Sequence, residues 1–266
     1  FSTSGTASFD AYVRSWTVVL AILCGLLVLL GVYHVRALPA GGGAAERHSL
    51  RDGLSGLKEV VGAFFQKKHI WYYLGFIILY RLGEGFVMKI VPLFLKADTA
   101  SGGLGLTNQQ IGLYYGTFGA GAFLLGSLLA GYYIAHRGLR RTLFILCCIF
   151  NIPFAVYALL AWLQPQSMWI VGGGIVLEYF GYGFGFVGLT LFMMQQVAPG
   201  RHQMAHYAFA SGIMNLSVML TGAVSGYLSD ALGYGMFFLA VMLATVPAFL
   251  VTWFVPFTYD DKPNDK

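Results

Sequence analysis

Seven apolar runs in this chain are each long enough to cross a bilayer. A spanning helix needs about 20 mainly apolar residues. Runs of that kind lie at roughly 15–35, 69–95, 108–135, 140–163, 167–197, 204–228 and 234–256. Only 10% of the residues are charged and 58% are hydrophobic, whereas a soluble domain carries about 25% charged residues. The chain is therefore expected to be an all-α integral membrane protein. Its net charge of +5 does not point to nucleic acid, because the basic residues cluster in a few loops, as membrane topology requires.

Those loops set the orientation. Arg36, Arg47, Arg51, Lys58, Lys67 and Lys68 lie between the first two runs; Arg137, Arg140 and Arg141 between the third and fourth; Arg201 between the fifth and sixth; Lys262 and Lys266 in the tail. The alternate segments carry only Arg14 and Lys96. Lysine and arginine favour the cytoplasmic side, so the 36–68 connector, the 136–141 turn and the tail are expected inside, with Asp98 and Asp230 outside. The connector opens with the breaker stretch LPAGGGAA. Ser49-x-x-Asp52 follows as a capping box. Leu50, Leu54, Leu57, Val61 and Phe64 then recur at helical spacing, opposite Arg51, Asp52, Lys58 and Glu59. That pattern predicts an amphipathic helix in the inner interface.

Charge inside the runs is confined to two of them. YRLGEGFVMK, residues 80–89, places Arg81, Glu84 and Lys89 in the second run, and Glu178 lies in the fifth. Ionisable groups at membrane depth face a bundle interior or an aqueous cavity and mark pathways or relays. Arg81 and Glu84 are three residues apart and share a helix face. The fifth run is antiparallel to the second, so Arg81 can pair with Glu84 or with Glu178. Lys89 is nearer the outside and can snorkel. Tyr80 neighbours Arg81, while Tyr182 and Gln196 share the Glu178 face; these residues are candidates to line a solute cavity. Asn215, mid-way along the sixth run, is a further candidate, with interhelical packing as its other role. His202 and His206 flank the cytoplasmic end of that run, where a histidine can handle protons.

Several motifs carry no chemistry. Gly183-Phe-Gly185-Phe-Val-Gly188 spells G-x-G-x-x-G, but a dinucleotide site needs a βαβ context, and this copy sits inside a membrane run. Gly181, Gly183, Gly185 and Gly188 are instead expected to permit close helix packing or bending; most of Gly112, Gly116, Gly119, Gly121 and Gly126 are expected to do the same. Cys24, Cys147 and Cys148 all lie in apolar runs, so neither a disulfide framework nor a metal site is expected. No cofactor motif, nucleophile–base pair, HExxH or Walker A sequence occurs, and no enzymatic activity is expected. Residue 1 is Phe and no signal peptide is recognisable, so the chain is expected to be the later piece of a longer protein.

Gly131-Tyr-Tyr-Ile-Ala135-His136-Arg137-Gly138-Leu-Arg140-Arg141 resembles the G-x-x-x-D-R-x-G-R-R loop of the major facilitator superfamily. Ala135 and His136 replace the Asp and Arg, as in the second-half copy of that loop. The resemblance implies a gating role for Gly131, Arg137, Gly138, Arg140 and Arg141, which the missing Asp puts in question. It also implies that the seven runs are helices six to twelve. Residues 1–35 would be helix six with its outer loop, 36–68 the interdomain connector, 69–256 the C-terminal six-helix bundle and 257–266 a cytoplasmic tail. In this family helices seven and ten line the central cavity, and these are the two charged runs.

Within that superfamily, Leu79–Phe86 (LYRLGEGF) resembles the LYKLGDxF element of AmpG-type muropeptide permeases. Leu177–Gly185, Ala205–Leu216, Ser225–Phe238 and Ala244–Leu250 are similar to their later helices. The resemblance implies alternating access in a bacterial inner membrane, with proton-coupled uptake of anhydromuropeptides. Protons, the lipid bilayer and an N-terminal half would be the partners. Glu84 or Glu178 would then take the coupled proton with Arg81 setting its ionisation, or Arg81 would hold a substrate carboxylate. A facilitator for a sugar, drug or acetyl-coenzyme A-like solute is the alternative within the class. A seven-helix receptor and a non-transporting scaffold are alternatives outside it.

Overall fold

The computed structural model describes residues 4–38 and 50–259. The breaker residues after Leu38, Ser49 of the expected capping box, and the tail cations Lys262 and Lys266 lie outside the described residues. The chain divides into two compact units, Phe1–Asp52 and Gly53–Lys266. The first holds α1, Ser4–Ala37, with apolar side chains on every face. A helix hydrophobic all round suits burial in a core or in lipid. Its 34 residues rise about 50 Å at 1.5 Å each, more than the hydrocarbon thickness of about 30 Å.

Among its described residues, the regular secondary structure of the second unit is helical. It begins within α2, Leu50–Phe65, whose Phe64 is buried against Phe209 and His206. The expected second span is not one helix. It consists of α3, Ile70–Tyr80, and α4, Leu82–Lys96. Arg81 separates them with φ −100° and ψ 8°, outside helical geometry. Gly83 and Gly85 follow it, and glycine inside a helix costs roughly 0.5–1 kcal/mol relative to alanine, so this is a segment where helix continuity is weakly enforced.

The remaining runs are α5 (Asn108–Arg137), α6 (Leu139–Leu163), α7 (Met168–Val197) and α8 (Gln203–Trp253). α5 opens on a capping box between Thr107 and Gln110 and contains a π-helical stretch at Gly112–Phe118. A second such stretch, Met193–Val197, ends α7. α8 holds the last two apolar runs, divided at Gly233, where φ is 70° and ψ is 160°. Gly138, between α5 and α6, has φ 77° and ψ 148°. Only glycine adopts that region without strain, so the two reversals fall where a glycine is available.

α7 packs between α5 and α6, while α8 runs along α3, α4 and α6. A Cβ on Gly183 would lie 2.1 Å from the Phe123 carbonyl oxygen of α5. One on Gly185 would lie 2.3 Å from Phe150 Cβ of α6. Gly181 and Gly188 likewise meet α6 through Ile149 and Leu146. The G-x-G-x-x-G spelling thus marks contacts with two neighbouring helices, as expected. The expectation for α5 holds only in part. Gly119 and Gly126 touch α7, but Gly112, Gly116 and Gly121 have open space beside them.

Candidate functional site

The break between α3 and α4 turns the Arg81 side chain back over the first turn of α4. Its Nε donates to one Glu84 carboxylate oxygen and its Nη2 to the other. A fork of this kind is the strong form of ion pairing. Arg81 and Glu84 are each only 4% exposed. The Arg81 guanidinium also stands 5.3 Å from the Phe186 ring centroid, a favourable cation–π placement. Between the two pairings the sequence left open, the structure selects Glu84.

Glu178, on α7, is 6% exposed. It accepts a 2.8 Å hydrogen bond from the Tyr157 hydroxyl of α6. A small cavity of about 30 Å³ lies between the two carboxylates; Glu84, Tyr115, Tyr157, Glu178, Tyr179 and Tyr182 contribute to its wall. That volume accommodates a water molecule. Glu84 and Glu178 therefore line one cavity. Glu84 is neutralised by Arg81, and the observed partner of Glu178 is an uncharged phenol. Tyr182 lines this cavity, close to both Arg81 and Glu84.

Other candidates lie elsewhere. Tyr80 is fully buried and its hydroxyl donates to the Gly185 carbonyl at 2.9 Å, so it ties α3 to α7 and is not among the residues lining the carboxylate cavity. Gln196 is also removed from the cavity. Its amide donates to the Tyr259 carbonyl at 2.8 Å and accepts from the Thr258 and Tyr259 N–H groups, fastening the segment after α8. Lys89 is exposed, its stem lying across α8 where a Cβ on Gly222 would meet Cγ at 3.1 Å. Asn215 is exposed on α8, so it is not packing glue among the described residues.

The loop residues keep together. Gly131 lies in the last turns of α5 and Gly138 makes the reversal into α6. The Arg137 guanidinium covers Tyr133 at 5.4 Å and that of Arg140 approaches the Phe257 ring at 6.0 Å; Arg141 is exposed. At the same end, Lys67 Nζ donates to the Val197 and Pro199 carbonyls at 2.5 and 2.7 Å. Burial draws that ammonium down from the ordinary lysine range. Glu59 meets Arg201 at 3.3 Å and His202 at 3.6 Å, and His206 Nε2 lies 3.2 Å from the Val60 carbonyl. The histidines thus belong to this end and not to the carboxylate cavity.

Sequence reasoning missed Tyr157, Tyr115, Tyr179 and Lys67. A tyrosine in an apolar run is a weak signal, although its O–H needs a partner once buried. The partner of Tyr157 lies 21 residues away, and no periodicity reports such a pairing.

The family model that matches this chain is described as Major Facilitator Superfamily and covers residues 78–266. An anhydromuropeptide permease of Escherichia coli strain K12 is 26% identical over 188 residues, 71% of this chain and 37% of that protein. A protein described as transporter AmpG 2 from Rickettsia bellii is 24% identical over 195 residues, 72% of this chain and 46% of its own length. Another of that description, from Rickettsia felis, is 27% identical over 203 residues, covering 72% and 45%. The chain thus spans less than half the length of these relatives. With described residues that form apolar helices and a family match over most of its length, the chain belongs to the Major Facilitator Superfamily and is a multi-pass membrane protein.

Proposed function

We propose that this chain is part of a proton-coupled transporter that takes up anhydromuropeptides or kindred cell-wall fragments across a bacterial inner membrane. The observation that carries the coupling is the contrast between the two buried carboxylates. Glu84 is ion-paired with Arg81, while Glu178 has a neutral hydroxyl against it and faces the shared cavity. A buried charge without a counter-charge is costly, and a proton removes that charge. Glu178 is therefore the carrier of the coupled proton, and Glu84 holds Arg81 until an anionic group of the solute competes for the guanidinium. The aromatic rings of Tyr182 and Phe186 beside Arg81 suit stacking against a sugar ring. The relatives' names support the solute class.

The family's way of working is rocking of two bundles about a midplane site. In that frame, residues 69–256 form the C-terminal bundle and residues 36–68 the connector. The loop from Gly131 to Arg141 meets the opposing bundle at the cytoplasmic gate.

The test is uptake and counterflow of labelled anhydromuropeptide by proteoliposomes holding the full-length gene product. Glu178→Gln is expected to abolish accumulation driven by a pH gradient while leaving counterflow within a few-fold of wild type. Normal accumulation by Glu178→Gln places the proton elsewhere. An absence of any specific uptake or counterflow in wild type refutes the solute class.

A further inference from the structure

We infer that Tyr157 is a positioning residue for proton exchange at Glu178, an inference that rests on the assignment of Glu178 as proton carrier. Its hydroxyl donates to Glu178 Oε2 at 2.8 Å. The ring is fully buried and stacked on Phe238 of α8, with centroids 5.7 Å apart and planes at 29°, so α8 holds the donor in place. Phe154 completes the enclosure of the cavity beside it.

The chemistry of the partner matters. A lysine or arginine at this position would donate only, and would hold the carboxylate ionised. A phenol donates to the carboxylate and goes on donating to the carbonyl oxygen of the acid when the proton sits on the other oxygen. It therefore stays satisfied in both protonation states and permits a proton to come and go. With Oε2 taken by Tyr157, the other carboxyl oxygen is left as the atom that exchanges with a cavity water. The proton is taken from water and returned to water, and no other bond changes. The ionisable groups that face Glu178 are Glu84, with Arg81 behind it, from α4 and the break; Tyr115 from α5; Tyr157 from α6; and Tyr179 and Tyr182 from α7 itself.

If the Tyr157 ring only packed α6 against α7, loss of its hydroxyl would leave the Glu178 titration in place. The discriminating measurement is infrared difference spectroscopy of the purified full-length protein during a pH titration, reading the carboxylic acid band that disappears in Glu178→Gln. A hydrogen bond to the charged form of a carboxyl group favours that form, so Tyr157→Phe is expected to displace the band's midpoint by about tenfold in proton concentration and to shift its frequency. If Tyr157→Phe does not reach the membrane, 3-fluorotyrosine at position 157 keeps the shape, changes the donor strength and is expected to move the same band. A Glu178 band with unchanged midpoint and frequency overturns the role of Tyr157 and leaves Glu178 as carrier. If no band is lost in Glu178→Gln, Glu178 is not the carrier, and the role of Tyr157 falls with it.

Discussion

Taking a guanidinium and a carboxylate out of water costs several kcal/mol per ion, and only good geometry offsets it. The bidentate fork between Arg81 and Glu84 supplies that geometry. Removing one partner is then worse than removing both charges. Arg81→Ala is expected to destabilise the protein by about 3–5 kcal/mol, because it strands Glu84. The double variant Arg81→Ala, Glu84→Gln is expected to recover a substantial part of that loss. Thermal melting in detergent checks it, and a double variant no more stable than Arg81→Ala refutes the ion-pair account. Arg81 and Glu84 were legible in the sequence, since a spacing of three on a helix brings side chains together. The choice between Glu84 and Glu178 was not, because it depends on the break at Arg81, which turns the side chain toward its own helix. Tyr80 and Gln196 were misplaced for a related reason. Periodicity gives a face, but not the carbonyls from other helices that wait on it.

At the scale of the element, close approach is the physical constraint. α7 is held against α5 at Gly183 and against α6 at Gly185, with no room for a Cβ at either position. Gly185→Val is expected to destabilise by at least about 1–3 kcal/mol, the usual range for overpacking. Gly121→Ala, beside open space in α5, is expected to be near neutral. Comparison of the two melting temperatures tests the assignment, and equal effects would sink it. Purified wild type is expected to bind neither NAD nor ATP, because the glycine spelling has no βαβ context. At the ends of elements, Gly138→Ala is expected to cost about 1–3 kcal/mol through strain at its positive φ, read from the same melts. The apolar runs were legible as helices because length and hydropathy suffice for that. The interruption at Arg81 and the π-helical stretches of α5 and α7 were not, since they reflect local packing that leaves the apolar pattern intact.

For the molecule as a whole, the ends of the second unit carry different charge. Lys67, Arg137, Arg140, Arg141 and Arg201 gather at one end, where contacts also bind the segments together: Lys67 to the end of α7, Glu59 to Arg201, Gln196 to Thr258 and Tyr259. At the other end Lys96 closes α4 and Asp98 follows it, Gly102 approaches the Tyr234 ring, and Gly235 approaches Trp162. Lysine and arginine in short loops set orientation because they resist translocation. The arginine-rich end is therefore expected to be cytoplasmic. Replacing Cys24, Cys147 and Cys148, together with any cysteine elsewhere in the full-length gene product, by alanine gives a background for single reporters. His136→Cys lies in the basic turn and Ser101→Cys in the acidic loop, and both positions are exposed. A membrane-impermeant maleimide added to intact spheroplasts is expected to label Ser101→Cys and to reach His136→Cys only after the membrane is opened. Reversed labelling would invert the orientation.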